Sequence, residues 1–231
     1  CSLLSLNARG LSAIITIAKY FDEGELLRIM NSTNGIITVF AGSASRPFAQ
    51  KMCDYLGVEL GKSTTHIFSE GGIYVRADES IRNKDVYIVQ SIGKDPNNAF
   101  TELIFWIDAF KRASANSITA IIPYFGYAKA DKKDEPRVSI RARVCADCIE
   151  MCGADRVVTM DLHAAQVQGF FSKPVDHLYA SALLCEYARH LGIVNENLVV
   201  VSPDAGSAKR ARAYANILGC NVAIGDKVRI G

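Results

Sequence analysis

The 231-residue sequence predicts an α/β protein built from two tandem domains with mainly parallel sheets, of which the second is incomplete. Short β-branched runs alternate with helical stretches from residue 36 onward, a pattern typical of βαβ units. A weak internal repeat indicates that such a unit occurs twice. The second copy has only two predicted strands and one helix before residue 231, which are too few to close a stable core.

Strands are predicted where short runs of Ile, Val and Thr occur, as in IITVF and VYIVQ. They cover residues 36–40, 73–76, 86–90, 118–122, 156–160, 198–202 and 222–226. Helices are predicted between them, at about 45–57, 98–114, 138–152, 179–191 and 207–218. The helix at 98–114 is indicated by apolar residues that recur every three or four positions.

The internal repeat pairs VFAGSASRPFAQKMCDYLG with VVSPDAGSAKRARAYANILG. Each copy has a strand, a turn with Gly and Ser, and a helix that ends at Gly. Aligning Gly42 with Gly206 also aligns Arg46 with Arg210, at a separation of 164 residues. The predicted domains are therefore residues 36–183 and 184–231, and residues 1–35 are not assigned to either.

Composition excludes several classes of protein. The 26 basic and 24 acidic residues are interspersed, so a concentrated basic face for nucleic acid is not expected. The apolar runs are shorter than the about 18 residues that a membrane-spanning helix needs. Seven cysteines without a recognisable secretion signal favour free thiols in the cytoplasm, and those at 145, 148 and 152 are interpreted as the buried face of a helix rather than a metal cluster.

An acid and an imidazole follow the predicted strand RVVTM. If the chain stays extended there, the side chains of Asp161 and His163 point the same way. Together with phosphate oxygens they would then form a binding site for Mg²⁺. Asp176, in KPVDH, adds a further carboxylate. The alternative is that Asp161 caps the following helix with His163 as its neighbour, and the residues alone leave both interpretations open.

A second candidate site is the turn after the strand LVVVS. Asp204, Gly206, Ser207 and Lys209 lie between this strand and the next helix, where backbone N–H groups can hold phosphate. The turn lacks the GxxxxGK[ST] pattern of a Walker A loop.

The segment DLHAAQVQGFFSKPVD, residues 161–176, resembles the signature of the ribose-phosphate pyrophosphokinase (phosphoribosyl pyrophosphate synthetase) family. The resemblance extends through VFAGSAS, ESIRNKDVYIVQS, IPYFGYAKADKKDEPR and VVSPDAGSAKRARAYA, and covers about residues 36–231. It implies two domains with a phosphoribosyltransferase-like fold, assembly into dimers or hexamers, and transfer of the β,γ-pyrophosphoryl group of MgATP to ribose 5-phosphate.

The resemblance also implies roles for particular residues. His163 and Asp204 would help to hold Mg²⁺ with Asp161 nearby, and Lys227 and Arg229 match the catalytic lysine and arginine of the family. The predicted ATP contacts are Phe68, which would stack on adenine, together with Glu70, Gly72, Lys129, Ala130 and His163. At positions 70, 72, 129 and 130 the residues depart from the usual family pattern; Lys129 keeps a positive charge but lacks the planar fork of arginine.

The ribose-phosphate loop of the family, an acidic pair followed by a Thr-Ala-Gly-Thr type of turn, has no counterpart in the 231 residues. These residues by themselves are therefore expected to bind nucleotide but not to complete the reaction. The alternatives to an active pyrophosphokinase are a catalytically silent association or regulatory subunit of the same family and an inactive fragment.

Overall fold

The computed structural model describes residues 37–226. These residues divide into two units, and the division falls after Leu178, whereas the sequence predicted a boundary at residue 183. The first unit has seven strands, β1 (Ile37–Ala41), β2 (Ser63–Ile67), β3 (Ile73–Ala77), β4 (Asp85–Val89), β5 (Ser117–Ile122), β6 (Arg156–Met160) and β7 (Val175–Leu178). Its α-helices are α1 (Arg46–Leu56), α2 (Pro96–Arg112) and α3 (Arg141–Cys152).

Five strands of the first unit form a wholly parallel sheet in the order β1-β4-β5-β6-β7. Helices connect these strands as the alternating sequence pattern predicted, so the predicted α/β class is confirmed. The core contains Phe40 of β1 and two aromatic residues of α2, Trp106 and Phe110, all fully buried. Their ring centroids lie 4.9 to 6.1 Å apart.

The helices begin and end where their local sequences favour it. Pro96 occupies the first turn of α2, and the carboxylate of Asp95 accepts a hydrogen bond from the amide of Asn98. α1 ends at Gly57, whose φ of 67° lies in the left-handed region that glycine adopts without strain.

β2 and β3 form a separate antiparallel hairpin that packs against α2. The sequence predicted β3 but not β2, because β2 reads STTHI and three of its five residues are exposed. β7 was also not predicted, since its four residues, VDHL, include two polar side chains.

The second unit contains α4 (Ser181–His190), β8 (Val199–Ser202), α5 (Ala208–Leu218) and β9 (Asn221–Ile224). β8 and β9 are parallel, and α5 packs on both strands and on α4. Within residues 37–226, no helix has the length and apolar character needed to cross a bilayer.

The internal repeat is present in the order of its elements, but its predicted register is wrong. A 3-10 turn precedes each helix, at Ser43–Ser45 in the first unit and Ala205–Ser207 in the second. The residue that begins the turn is Gly42 in one case and Asp204 in the other. Asp204 is therefore the structural counterpart of Gly42. The sequence repeat had instead aligned Gly42 with Gly206, two residues later.

Candidate active site

The candidate site is built around a corner of the chain directly after β6, at the carboxyl edge of the parallel sheet. Open α/β sheets bind ligands beyond this edge. Asp161 and His163 are both exposed there, and Leu162 between them is only 7% exposed. The buried leucine therefore anchors the segment, while the two polar side chains remain accessible.

An extended chain through Asp161 was the condition for the side chains of Asp161 and His163 to point the same way, and the structure does not meet it. Asp161 has a φ of 45°, in the left-handed region that only Gly, and less often Asn and Asp, adopt readily. The parallel direction of the two side chains therefore does not follow from their spacing. The corner turns the chain away from the strand direction immediately beyond the sheet.

The alternative role of Asp161 as a helix cap is also wrong. The 3-10 helix that follows, Ala165–Phe170, has Ala164 as its N-cap residue and no side-chain cap. The backbone N–H of Asp161 instead donates to the carbonyl oxygen of Leu178 on β7, at 2.9 Å. The corner is thus tied to the neighbouring strand by its backbone.

A histidine that sequence reasoning did not select also contacts this corner. The Nε2 atom of His177 on β7 accepts a hydrogen bond of 2.9 Å from the backbone N–H of Leu162. Burial lowers the pKa of His177, and the charge of Asp161 opposes this effect. The effect of Asp161 reflects how close the imidazole lies to the corner.

Asp176 lies on the same strand but takes part in a different interaction. Its carboxylate is 2.6 Å from a guanidinium nitrogen of Arg156, the first residue of β6. The register places Asp176 beside Val158, three residues before Asp161, which is about 10 Å along a strand. The structure does not bring Asp176 together with Asp161, and its assignment as a metal ligand stays a prediction.

The predicted adenine-binding residues lie at the tip of the β2–β3 hairpin. Phe68 is 44% exposed, and its ring packs edge-on against His66, with the centroids 5.0 Å apart. The amide of Phe68 donates to Gly72, which closes the tip, while Glu70 is exposed. An exposed aromatic face on a closed hairpin is available to stack on a planar ligand.

The two other predicted ATP contacts lie in the loop after β5. Lys129 is exposed, whereas Ala130 is 9% exposed and accepts a hydrogen bond from the amide of Ala142 at the start of α3. The loop also approaches the segment after β4 closely, since a Cβ atom at Gly126 would lie 2.1 Å from the carbonyl oxygen of Ile92. The loop that contains Lys129 and the corner at Asp161 follow adjacent parallel strands, β5 and β6, at the same edge of the sheet.

The turn after β1 has its backbone donors occupied by side chains. The N–H of Ser43 donates to Glu102 at 2.9 Å, and the N–H of Ala44 donates to Gln90 at 3.2 Å. A phosphate would have to displace these partners, so this turn does not have free backbone N–H groups for binding an anion. Beside it lies a cavity of about 550 Å³ between the hairpin and α2, lined in part by Ser43, Thr65, Ile73, Lys94 and Glu102.

The corresponding turn of the second unit is also capped by a side chain. Asp204 is half-buried, and its Oδ1 accepts a hydrogen bond of 2.8 Å from the N–H of Ser207. Lys209 follows in the first turn of α5 and is exposed. The assignment of Asp204 as a magnesium ligand stays a prediction.

The predicted catalytic pair lies outside the described residues, whereas the cysteines of α3 lie within them. Lys227 and Arg229 lie outside the described residues. Within residues 37–226, no three or more His, Cys, Asp or Glu side chains form a group that could hold a metal ion. The six cysteines of this range are free, and of the three on α3 only Cys145 is buried, while Cys148 and Cys152 are half-buried. The predicted buried face of thiols is therefore confirmed only for Cys145.

A parallel sheet with an exposed acid, an imidazole and a lysine at its carboxyl edge is typical of α/β proteins that bind phosphorylated ligands. Residues 37–153 match the N-terminal domain of ribose phosphate pyrophosphokinase. The chain is 49% identical over 201 residues to the ribose-phosphate pyrophosphokinase of Porphyromonas gingivalis and 47% identical over 201 residues to that of Deinococcus radiodurans. The chain belongs to the ribose-phosphate pyrophosphokinase family.

The fold agrees with that of a solved relative. The crystal structure of phosphoribosylpyrophosphate synthetase from Mycobacterium smegmatis superposes with a TM-score of 0.79 at 42% identity, over 84% of this chain and 65% of that one. The two bacterial sequence matches cover 87% of this chain and 63% of each relative. The chain therefore spans less than two thirds of the length of these relatives.

Proposed function

We propose that this chain supplies the MgATP-binding part of a ribose-phosphate diphosphokinase. In that reaction the anomeric hydroxyl oxygen of ribose 5-phosphate attacks the β-phosphorus of ATP. The bond from this phosphorus to the oxygen shared with the α-phosphate breaks, AMP departs, and the hydroxyl loses its proton. The products are phosphoribosyl pyrophosphate and AMP.

The observation that carries this proposal is the corner at Asp161–His163. It presents two exposed donors, a carboxylate and an imidazole, at the edge of a sheet where Lys129 also emerges. Mg²⁺ keeps several waters and phosphate oxygens in its coordination shell, so one or two protein ligands suffice. The donor set therefore fits a magnesium ion that arrives with a nucleotide, and a dedicated protein cage is not required.

Each residue has a defined part in this proposal. Asp161 and His163 hold the magnesium-bound phosphates, and the exposed ring of Phe68 stacks on adenine. The family resemblance separately assigns Asp204 to magnesium binding. Magnesium, when bound, offsets the negative charge of the phosphates. Lys129 contributes a fixed positive charge, and we assign Lys227 and Arg229 to the charge that develops on the transferred group.

The proposal is tested by calorimetric titration of ATP into the 231-residue chain, with Mg²⁺ and with EDTA. We expect saturable binding that requires Mg²⁺ and is weakened about tenfold or more in His163→Ala, the usual effect of losing a contact to a charged group. AMP formation with ribose 5-phosphate is measured in parallel by chromatography.

His190→Ala serves as the matched control, because His190 is an exposed histidine of α4 far along the chain from the corner. Its binding should equal that of the wild type. The absence of saturable MgATP binding by the wild type would contradict the proposal. Binding without AMP formation is the result expected for these 231 residues, which have no counterpart of the family's ribose-phosphate loop.

We further propose that the protein forms homo-oligomers, dimers or hexamers, in a reducing cytoplasm. The free thiols of the described residues support a reducing compartment, and the family resemblance supports self-association. Light scattering on the purified chain tests the first of these proposals: a mass of about 25.2 kDa at every concentration would contradict it.

A further inference from the structure

The corner that carries the candidate ligands has an unusual backbone for its sequence. Asp161 has a left-handed φ of 45° without being glycine. Such conformations persist only where surrounding contacts determine them, and they concentrate at functional sites. The contacts that hold this corner are therefore of functional interest.

Adjacent hydrogen bonds from β7 hold the corner. The carbonyl oxygen of Leu178 accepts the N–H of Asp161, and the imidazole Nε2 of His177 accepts the N–H of Leu162, both at 2.9 Å. The first is an ordinary continuation of the strand pairing. The second bond is accepted by a side chain. Its donor is the backbone N–H of Leu162, the residue between the two candidate ligands.

The direction of the second bond defines the role of one imidazole nitrogen. A backbone N–H can only donate, so Nε2 is the acceptor in this bond. A side chain at position 177 can accept the hydrogen bond from Leu162 only if it has an acceptor atom where Nε2 lies. An apolar side chain of the same size would leave the N–H of the buried Leu162 without this partner.

Strand alternation explains why His177, rather than its neighbour, reaches the corner. Successive side chains of a strand point to opposite faces, and Asp176 is paired with Arg156 near the start of β6. His177 is in register with Thr159, two residues before Asp161. From there its ring extends to the amide of Leu162.

We propose that His177 is a positioning residue that fixes the Asp161–His163 corner for nucleotide binding. The part of this inference that concerns nucleotide rests on the proposed function. His177 acts through the backbone of Leu162, so it holds the flanking candidate ligands in place without itself contacting the ligand. Loss of the bond frees the corner to leave its left-handed conformation.

The test compares variants of His177 that differ in their hydrogen-bonding ability. His177→Gln places an amide oxygen near the position of Nε2 and retains an acceptor, whereas His177→Leu and His177→Ala do not. Amide hydrogen exchange is measured at Leu162, with Val158 of β6 as the internal reference. MgATP binding is measured by calorimetry on the same samples, and circular dichroism identifies the variants that fold.

In the acceptor-free variants we expect exchange at Leu162 to accelerate about tenfold relative to Val158, as for the loss of one hydrogen bond. MgATP affinity should fall by a similar factor. His177→Gln should recover both properties to within about threefold of the wild type. His190→Leu, the same substitution at an exposed histidine, should leave both unchanged.

The outcomes distinguish this inference from the proposed function. If the wild type does not bind MgATP, the proposed function fails, and exchange at Leu162 still decides whether His177 holds the corner. If the wild type binds and the acceptor-free variants behave like it, the positioning role is overturned. Equal losses in His177→Gln and His177→Leu would also overturn it, because packing alone would then explain the effect.

Discussion

At the scale of single residues, Glu102 shows how one buried carboxylate can organise the loops around a sheet edge. It is 2% exposed and accepts hydrogen bonds from the N–H of Ser43, from Gln90 at 2.8 Å and from Trp106 at 3.3 Å. The hydroxyl groups of Ser43 and Thr65 also donate to it. The energetic cost of burying the charge of Glu102 is thus offset by hydrogen-bond donors from the turn after β1, from the end of β4 and from the hairpin.

Replacement of Glu102 by leucine is therefore expected to destabilise the first unit by about 4 kcal/mol. The substitution leaves several buried donors without an acceptor, and each costs about 1–3 kcal/mol. The free energy of unfolding is measured by urea denaturation. Glu135→Leu, the same change at an exposed glutamate, should alter it by less than about 0.5 kcal/mol. A loss below about 1 kcal/mol for Glu102→Leu would contradict the organising role.

The sequence predicted some of these residues and could not predict others. Asp161 and His163 were found because polar residues interrupt an apolar run directly after a strand. Glu102 was overlooked because a glutamate within an amphipathic helix normally lies on the solvated face. The choice between Asp176 and His177 depends on the register of β7 against β6, which a single sequence does not contain.

At the scale of secondary-structure elements, buried apolar runs were recognised and exposed or short strands were not. β1, β4, β5 and β6 were predicted within one residue of their observed bounds, since each is a run of apolar or β-branched residues buried on the sheet. β2 escaped prediction because it pairs only with β3 and exposes most of its residues. The hairpin is therefore the part of the predicted nucleotide site whose position depends on packing against α2.

The thiols of α1 and α3 give a prediction for the dependence of stability on pH. Burial is the main cause that raises the pKa of Cys145 from 9.0 to about 12 and that of Cys53 from 9.0 to about 11. Above pH 9 the unfolded chain loses these protons while the folded chain retains them. The stability that they contribute is thus fully present below pH 9 and is lost as pH rises toward 12.

Urea denaturation at pH 8, 9, 10 and 10.5 checks this dependence. The free energy of unfolding should decrease with pH above about 9, and Cys145→Ala should show a smaller decrease because it removes the thiol whose pKa is raised to about 12. An identical slope in wild type and Cys145→Ala would show that burial of this thiol does not govern the alkaline loss.

At the scale of the whole molecule, the two units differ in how much core each one possesses. The first unit contains the large buried aromatic and aliphatic side chains of the protein's described part, grouped in one cluster. Among the described residues of the second unit, 179–226, the buried ones are small: Cys185, Ser202, Ala211 and Ala215. Its strands also expose large apolar side chains, with Val201 at 65% and Ile224 at 48%. The order of the elements in the second unit was predictable from the internal repeat, but this difference in packing could be seen only in the structure.

We therefore expect residues 37–178 to fold by themselves and residues 179–226 not to do so. A five-stranded sheet covered by helices can bury a core of its own, whereas a two-stranded sheet with two short helices cannot. Each segment is expressed separately and examined by circular dichroism and thermal unfolding. The longer segment should show a single cooperative transition with the helix and strand content of its part of the chain, and the shorter one should show no cooperative transition. A cooperative transition in residues 179–226 alone would mean that small buried residues and exposed valines suffice for a stable unit, which contradicts this assignment of the core.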